Sequence, residues 1–74
     1  MTKTTNQLIP GDVFCYTNKD PNNFVYNIFV NRNKNSFTVI EVGGTHVEKR
    51  IHKNIYKDSI WYMMELTKDG FKFV

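Results

Sequence analysis

The stretch FTVIEVGGTHVEKRIH, residues 37–52, contains the clearest structural signal in the sequence. Two runs rich in β-branched and aromatic residues flank the pair Gly43-Gly44. Glycine takes positive φ without a Cβ clash, which is what a two-residue hairpin turn requires of its central positions. The stretch therefore predicts two antiparallel strands joined by a Gly-Gly turn.

The second strand of this hairpin alternates between polar and apolar residues. The polar positions are His46, Glu48, Arg50 and His52. Because successive side chains of a strand point to opposite faces, we expect the intervening Val47 and Ile51 to face the core and the polar row to face outward. Two hypotheses follow: a solvated face on which Glu48 pairs with a neighbouring cation, or a strip that binds an anion through Arg50.

The segments on either side of the hairpin also have strand patterns. Runs of β-formers occupy LIPGDVFCYT (8–17) and FVYNIFVN (24–31), with turn-forming residues in NKDPNN (18–23) and NRNKNS (31–36). Residues 60–66 and 71–74 predict a final hairpin with Gly70 at its bend, after a short 3₁₀-like turn at 53–59. The alternative is a C-terminal helix at about 52–67, because several apolar residues there fall at roughly helical intervals.

These elements predict an all-β domain of five to six short antiparallel strands at residues 8–74, preceded by a flexible, polar segment at 1–7. The long first loop, the compact second turn, the tight distal hairpin and the single helical turn before the last strand resemble the small Src-homology-3-like (SH3-like) barrel. The opening LIPGDVF, residues 8–14, is similar to the entry strand of such barrels. The resemblance covers about residues 8–66 and implies the architecture; the acidic loop and paired aromatics with which peptide-binding members hold proline-rich ligands are absent.

Composition restricts the chemistry and the setting of the protein. A single cysteine, Cys15, forms neither an internal disulfide nor the usual structural zinc site, and alternation predicts a buried, inert thiol. The start has no signal-peptide or membrane-anchor pattern, so we expect a cytoplasmic protein without a membrane partner. The absence of alanine and the abundance of Asn, Lys and Ile indicate an AT-rich genome, compatible with a phage or mobile-element product acting in the host cytoplasm.

Catalysis and cofactors are not expected. His46 and His52 would lie about 20 Å apart at roughly 3.3 Å per strand residue, too far to share a metal ion. No nucleophile and base are predicted to meet in a pocket, and Gly43-Gly44 lacks the pattern of a phosphate-binding loop. We therefore predict a protein that is not an enzyme and uses no metal or cofactor.

Two sets of residues are candidates for binding. Aromatic and thioether side chains suit a protein interface if exposed, and the candidates are Phe29, Trp61 and Met63. Basic side chains suit an anion, nucleotide or nucleic acid, and the candidates are His46, Arg50, His52, Lys53 and Lys57.

The modest net charge of +3 favours the first set over the second. We predict a non-catalytic module that binds a protein partner, which for a phage product means inhibiting or redirecting a host or defence protein. The alternative is nucleic-acid or nucleotide binding, in which aromatic side chains stack on bases. A third hypothesis is a homo-oligomer, since so short a chain has a thin core.

Overall fold

The computed structural model describes residues 1–15, 25–53 and 59–74. Seven strands and one 3₁₀ turn, Thr5–Gln7, make up its regular structure. In chain order the strands are β1 (Thr2–Thr4), β2 (Val13–Cys15), β3 (Tyr26–Arg32), β4 (Ser36–Gly43), β5 (His46–Lys53), β6 (Ile60–Thr67) and β7 (Gly70–Phe73).

All strand pairs are antiparallel and belong to one sheet. The order is β1-β6-β2-β3-β4-β5, and β7 also pairs with β6. Both β1 and β7 pair with β6, and the amino group of Met1 donates to the carbonyl of Val74. The prediction of an all-β protein is confirmed, and so is the final hairpin, with Gly70 at φ +104°. The helical alternative is wrong for residues 60–67, whereas the turn predicted at 53–59 falls mostly on residues outside the described ranges.

The amino-terminal segment is part of the sheet, in contrast to the flexible start expected from its polarity. Lys3 pairs with Trp61 in the β1–β6 ladder, and its ammonium group lies 2.9 Å from the Asp12 carboxylate. Thr5 is almost completely buried, and its hydroxyl accepts a hydrogen bond from the Trp61 indole at 2.7 Å. Tertiary contacts therefore hold a segment whose own sequence has little strand signal.

The main core lies on one face of the sheet. It consists of the buried residues Leu8, Phe14, Phe29, Phe37, Val39 and Met63, with Trp61 packed against them. The other face is partly covered as well, because Cys15 and Met64 are buried there and the rings of Tyr26 and Phe71 lie 4.7 Å apart. Cys15 is thus buried, as predicted, and a small curved sheet has buried residues on both faces.

The distal hairpin forms, but its turn is one residue later than expected. Gly43 is still in β4 and pairs with His46, so the two turn residues are Gly44 and Thr45. Only Gly44 has positive φ, at +58°. Gly43 is needed for another reason, since a Cβ at this position would lie 2.8 Å from the Val25 side chain.

The orientation predicted for β5 is wrong. Directly opposite residues of an antiparallel pair share a face. His52 lies opposite Phe37 and Arg50 opposite Val39, both of which belong to the core. The polar row therefore lies on the core face of the sheet, and Val47 and Ile51 point outward with 69% and 67% of their surface exposed. In the described ranges the only helical element is the 3₁₀ turn, so no helix there is long and apolar enough to cross a membrane.

Candidate functional site

A cavity of about 520 Å³ opens on the core face of the sheet. Its apolar wall contains Phe14 from β2, Phe37 and Val39 from β4, and Trp61 from β6. The volume is within the range of roughly 300–1,000 Å³ that binding pockets for small groups occupy. A cavity of this size accommodates an aromatic side chain or a small ligand.

Aromatic contacts hold the rings of this wall in place. Trp61 meets Phe14 edge to face at a centroid distance of 5.0 Å and Phe37 at 6.2 Å. On the other side of Phe37, the imidazole of His52 stacks at 5.1 Å. Because Thr5 also accepts the indole N–H, Trp61 has a defined orientation before any ligand binds.

Two polar side chains of the wall have atoms left to bind a ligand. Asn27 is 9% exposed, and within the described ranges its amide makes no side-chain hydrogen bond. Glu41 uses Oε1 for both of its ion pairs, while Oε2 accepts no hydrogen bond from the residues that the structure describes. The cavity therefore combines an aromatic wall with an acceptor carboxylate and an amide.

An ion-pair network lies on the same face, at the end of the hairpin. Glu41 Oε1 lies 3.1 Å from Arg50 Nε and 3.2 Å from His46 Nε2. Glu48 Oε2 lies 3.3 Å from Arg50 Nη2 and 3.3 Å from His46 Nε2. Glu48 thus has the cationic neighbour, Arg50, that the hypothesis of a solvated face predicts. Two carboxylates against one guanidinium leave this network without the positive excess that an anion requires.

Three atoms of this network are close enough together to approach one metal ion. The potential ligand atoms of Glu41, His46 and Glu48 lie within 4.8 Å of one another. However, both carboxylates of this cluster already contact Arg50. The cluster is accounted for by ion pairing, and we assign no metal to it.

The described basic residues predicted to bind an anion lie on both faces of β5. His46, Arg50 and His52 lie on the core face of β5, and His52 is packed against Phe37. Lys53 points to the opposite face, because it is the next residue along the strand. Lys57 lies outside the described residues. The structure therefore does not assemble the predicted strip beside an exposed aromatic ring.

The residues predicted to contact a protein partner have different environments. Phe29 and Met63 are only 2% and 5% exposed, so they do not meet the condition of exposure under which they were candidates. Both lie in interior strands of the sheet with their side chains in the core. Trp61 is half-buried and forms part of the cavity wall, and it is the one member of this set that a ligand in the cavity would touch.

Sequence reasoning missed the residues of β4 that face β5 across the hairpin. Phe37 and Glu41 lie opposite His52 and Glu48 and line the cavity. The predicted hairpin contained part of the signal, because a two-residue turn at either 43–44 or 44–45 places odd-numbered residues of β4 opposite even-numbered residues of β5. It does not say which of these two sets meets the core. Taking Phe37 as a core residue would then have placed the polar row on the core face. No comparable local signal indicates Phe14 or Asn27, which distant parts of the chain bring to the cavity.

No known protein family, curated protein or solved structure matches this chain.

Proposed function

We propose that this chain is a non-catalytic binding module with the SH3-like architecture, and that it receives an aromatic side chain of a partner protein in its cavity. The single observation that carries the proposal is the aromatic cavity beside Trp61 with the acceptor oxygen of Glu41 in its wall. Interfaces concentrate binding energy where an aromatic side chain fills such a pocket. The cavity thus gives the protein-partner hypothesis a specific point of contact.

The charge at the cavity indicates which aromatic groups fit best. Glu41 is a carboxylate whose Oε2 has no hydrogen-bond donor among the described residues, and the neighbouring Arg50 is already bound to Glu41 and Glu48. In a partner segment, an aromatic side chain would pack against the apolar wall of the cavity, and a cationic residue next to it would pair with the Glu41 carboxylate. An aromatic residue flanked by a carboxylate would instead bring a second negative charge close to Glu41. We therefore propose that the recognised segment is an aromatic residue beside an arginine or lysine.

The order of the strands supports the proposed architecture. In the order β6-β2-β3-β4-β5, the last strand that the resemblance covers, β6, lies next to the first one, β2. In the chain, residues 16–25 connect β2 to β3, the turn at 44–45 connects β4 to β5, and residues 54–59 connect β5 to β6. This is the loop order on which the resemblance rests.

The non-catalytic part of the proposal is supported by the position of the nucleophile. Cys15 is completely buried on the face opposite the cavity, whose wall includes Phe14. The histidine at the cavity, His52, stacks on Phe37. A thiol and an imidazole on opposite faces of the sheet do not form the hydrogen-bonded pair that nucleophilic catalysis requires.

Titration with two short peptides tests the proposal, because Trp61 is the only tryptophan and its fluorescence reports on the cavity. The probes are a capped Gly-Arg-Phe-Arg-Gly peptide and its Gly-Glu-Phe-Glu-Gly counterpart. We expect the basic peptide to change Trp61 emission and to bind at least about tenfold more tightly, equivalent to ~1.4 kcal/mol. Equal affinities, or no change in emission with either peptide, would contradict the proposal.

Glu41→Gln is the matching variant, because it keeps the shape of the side chain and removes its charge. We expect it to abolish the preference for the basic peptide. The control is Glu65→Gln, since Glu65 is an exposed carboxylate on β6 that does not line the cavity. If Glu41→Gln still prefers the basic peptide, the Glu41 carboxylate is not the source of the preference, and the role assigned to Glu41 is contradicted.

A further inference from the structure

Strand β5 lies at one end of the sheet order. Its eight residues pair with β4 on one side, and within the described ranges no strand pairs with its other side. An edge strand has backbone N–H and C=O groups that can pair with another extended chain. The cavity lies on the core face of the sheet, and β5 contributes His52 to its lining.

The outward face of β5 alternates exposed apolar residues with lysines. Val47 and Ile51 are 69% and 67% exposed, and they lie two positions on either side of Lys49. Exposed β-branched residues on an edge strand are the side chains that cross-strand partners cover when a strand is added. The backbone edge and the outward side chains of Val47, Lys49 and Ile51 therefore lie along the same stretch of β5, and no described strand pairs with it there.

Lysine residues determine what kind of strand fits. Lys49 lies between Val47 and Ile51 on the outward face, and Lys53 follows at the end of the strand. A carboxylate directly opposite Lys49 would be stabilising, whereas a cation there would be destabilising. We propose that β5 binds an extended segment of a partner protein with the pattern apolar–x–acidic–x–apolar, which places its carboxylate opposite Lys49.

A second copy of this chain fits the edge less well. Two β5 strands that pair about a twofold axis through Lys49 would join Val47 of each copy to Ile51 of the other, and Glu48 to Arg50. The same register places Lys49 directly against Lys49 of the partner subunit, and Glu48 and Arg50 are already paired within one chain. The charges of the edge therefore favour an acidic partner over self-association.

The test uses three capped heptapeptides and the backbone amide shifts of the full chain in NMR titrations. The first is Thr-Val-Thr-Glu-Thr-Val-Thr, the second has Lys in place of Glu, and the third repeats the first with every backbone nitrogen methylated. We expect the first to shift the amides of β5 and to bind about tenfold more tightly than the second, a difference of ~1.4 kcal/mol. The methylated peptide cannot donate to a ladder, so it should not bind.

Lys49→Glu should reverse the preference between the acidic and basic peptides. The control is Lys72→Glu, an exposed lysine on β7 that should leave the preference unchanged. Equal binding by the methylated peptide, shifts confined to cavity residues, or a β5 edge already covered by a second copy in sedimentation and amide exchange would overturn the proposal. The Gly-Arg-Phe-Arg-Gly peptide should bind Lys49→Glu as tightly as it binds the unmodified protein. A failure of the edge proposal is therefore distinguishable from a failure of the cavity proposal.

Discussion

Two adjacent glycines of the distal hairpin have different structural roles. Gly44 takes positive φ in the turn, where a side chain would have open space around it but a strained backbone. Gly43 has an ordinary strand conformation, and its missing side chain leaves room for Val25. The same residue type is therefore required once for backbone conformation and once for packing.

We predict that Gly43→Ala destabilises the protein by about 1–3 kcal/mol, because its Cβ would lie 2.8 Å from Val25 Cγ2 and force the β-branched side chain to move. Urea unfolding monitored by Trp61 fluorescence measures the change. Combined with Gly43→Ala, Val25→Ala should restore most of the lost free energy of unfolding. Combined with Gly44→Ala, it should restore none of the free energy that this variant loses. A double variant no more stable than Gly43→Ala alone would contradict the packing explanation.

At the scale of the elements, the two arginines have unequal roles. Arg32 at the end of β3 donates from Nη2 to the carbonyls of Thr5 and Leu8 at 2.7 and 2.6 Å, and its guanidinium lies 4.9 Å from the Phe29 ring centroid. It therefore ties β3 to the 3₁₀ turn and the residues after it. Arg50 on β5 contacts only side chains of its own hairpin among the described residues.

We expect Arg32→Met to lower the free energy of unfolding by about 1–3 kcal/mol, because it removes two charge-assisted hydrogen bonds that link distant elements. Arg50→Met should cost less than about 1 kcal/mol, since its ion pairs are substantially solvent-exposed. Chemical unfolding of both variants gives the comparison, and methionine keeps much of the apolar volume in each. Equal losses would mean that the link between β3 and the 3₁₀ turn contributes no more than an exposed ion pair.

For the whole molecule, one sheet must supply both a core and two candidate binding surfaces. The core face is filled at Phe29 and Met63 but open beside Trp61, where the cavity begins. The opposite face is covered near Cys15 and Met64 but exposed along β5. Incomplete coverage of a thin sheet therefore leaves one concave and one edge surface for partners.

We predict that the free protein sediments as a monomer of 8.8 kDa, despite its exposed edge. Lys49 of two paired copies would meet at the twofold axis, and the net charge of +3 adds weak mutual repulsion. Sedimentation equilibrium at low and high salt measures the mass. A dimer at low salt would contradict the role given to Lys49.

The sequence by itself determined the all-β class, the distal hairpin, the final hairpin at Gly70 and the burial of Cys15, because strand propensity and turn chemistry are local properties. Only the tertiary structure decided the faces. Alternation divides the residues of β5 into two sets, but it does not say which set meets the core, and the apolar Val47 and Ile51 lie outward because Phe37 and Val39 hold the opposite face. The cavity and the placement of residues 1–7 likewise depend on contacts between distant segments, such as Trp61 with Thr5, that no local pattern contains.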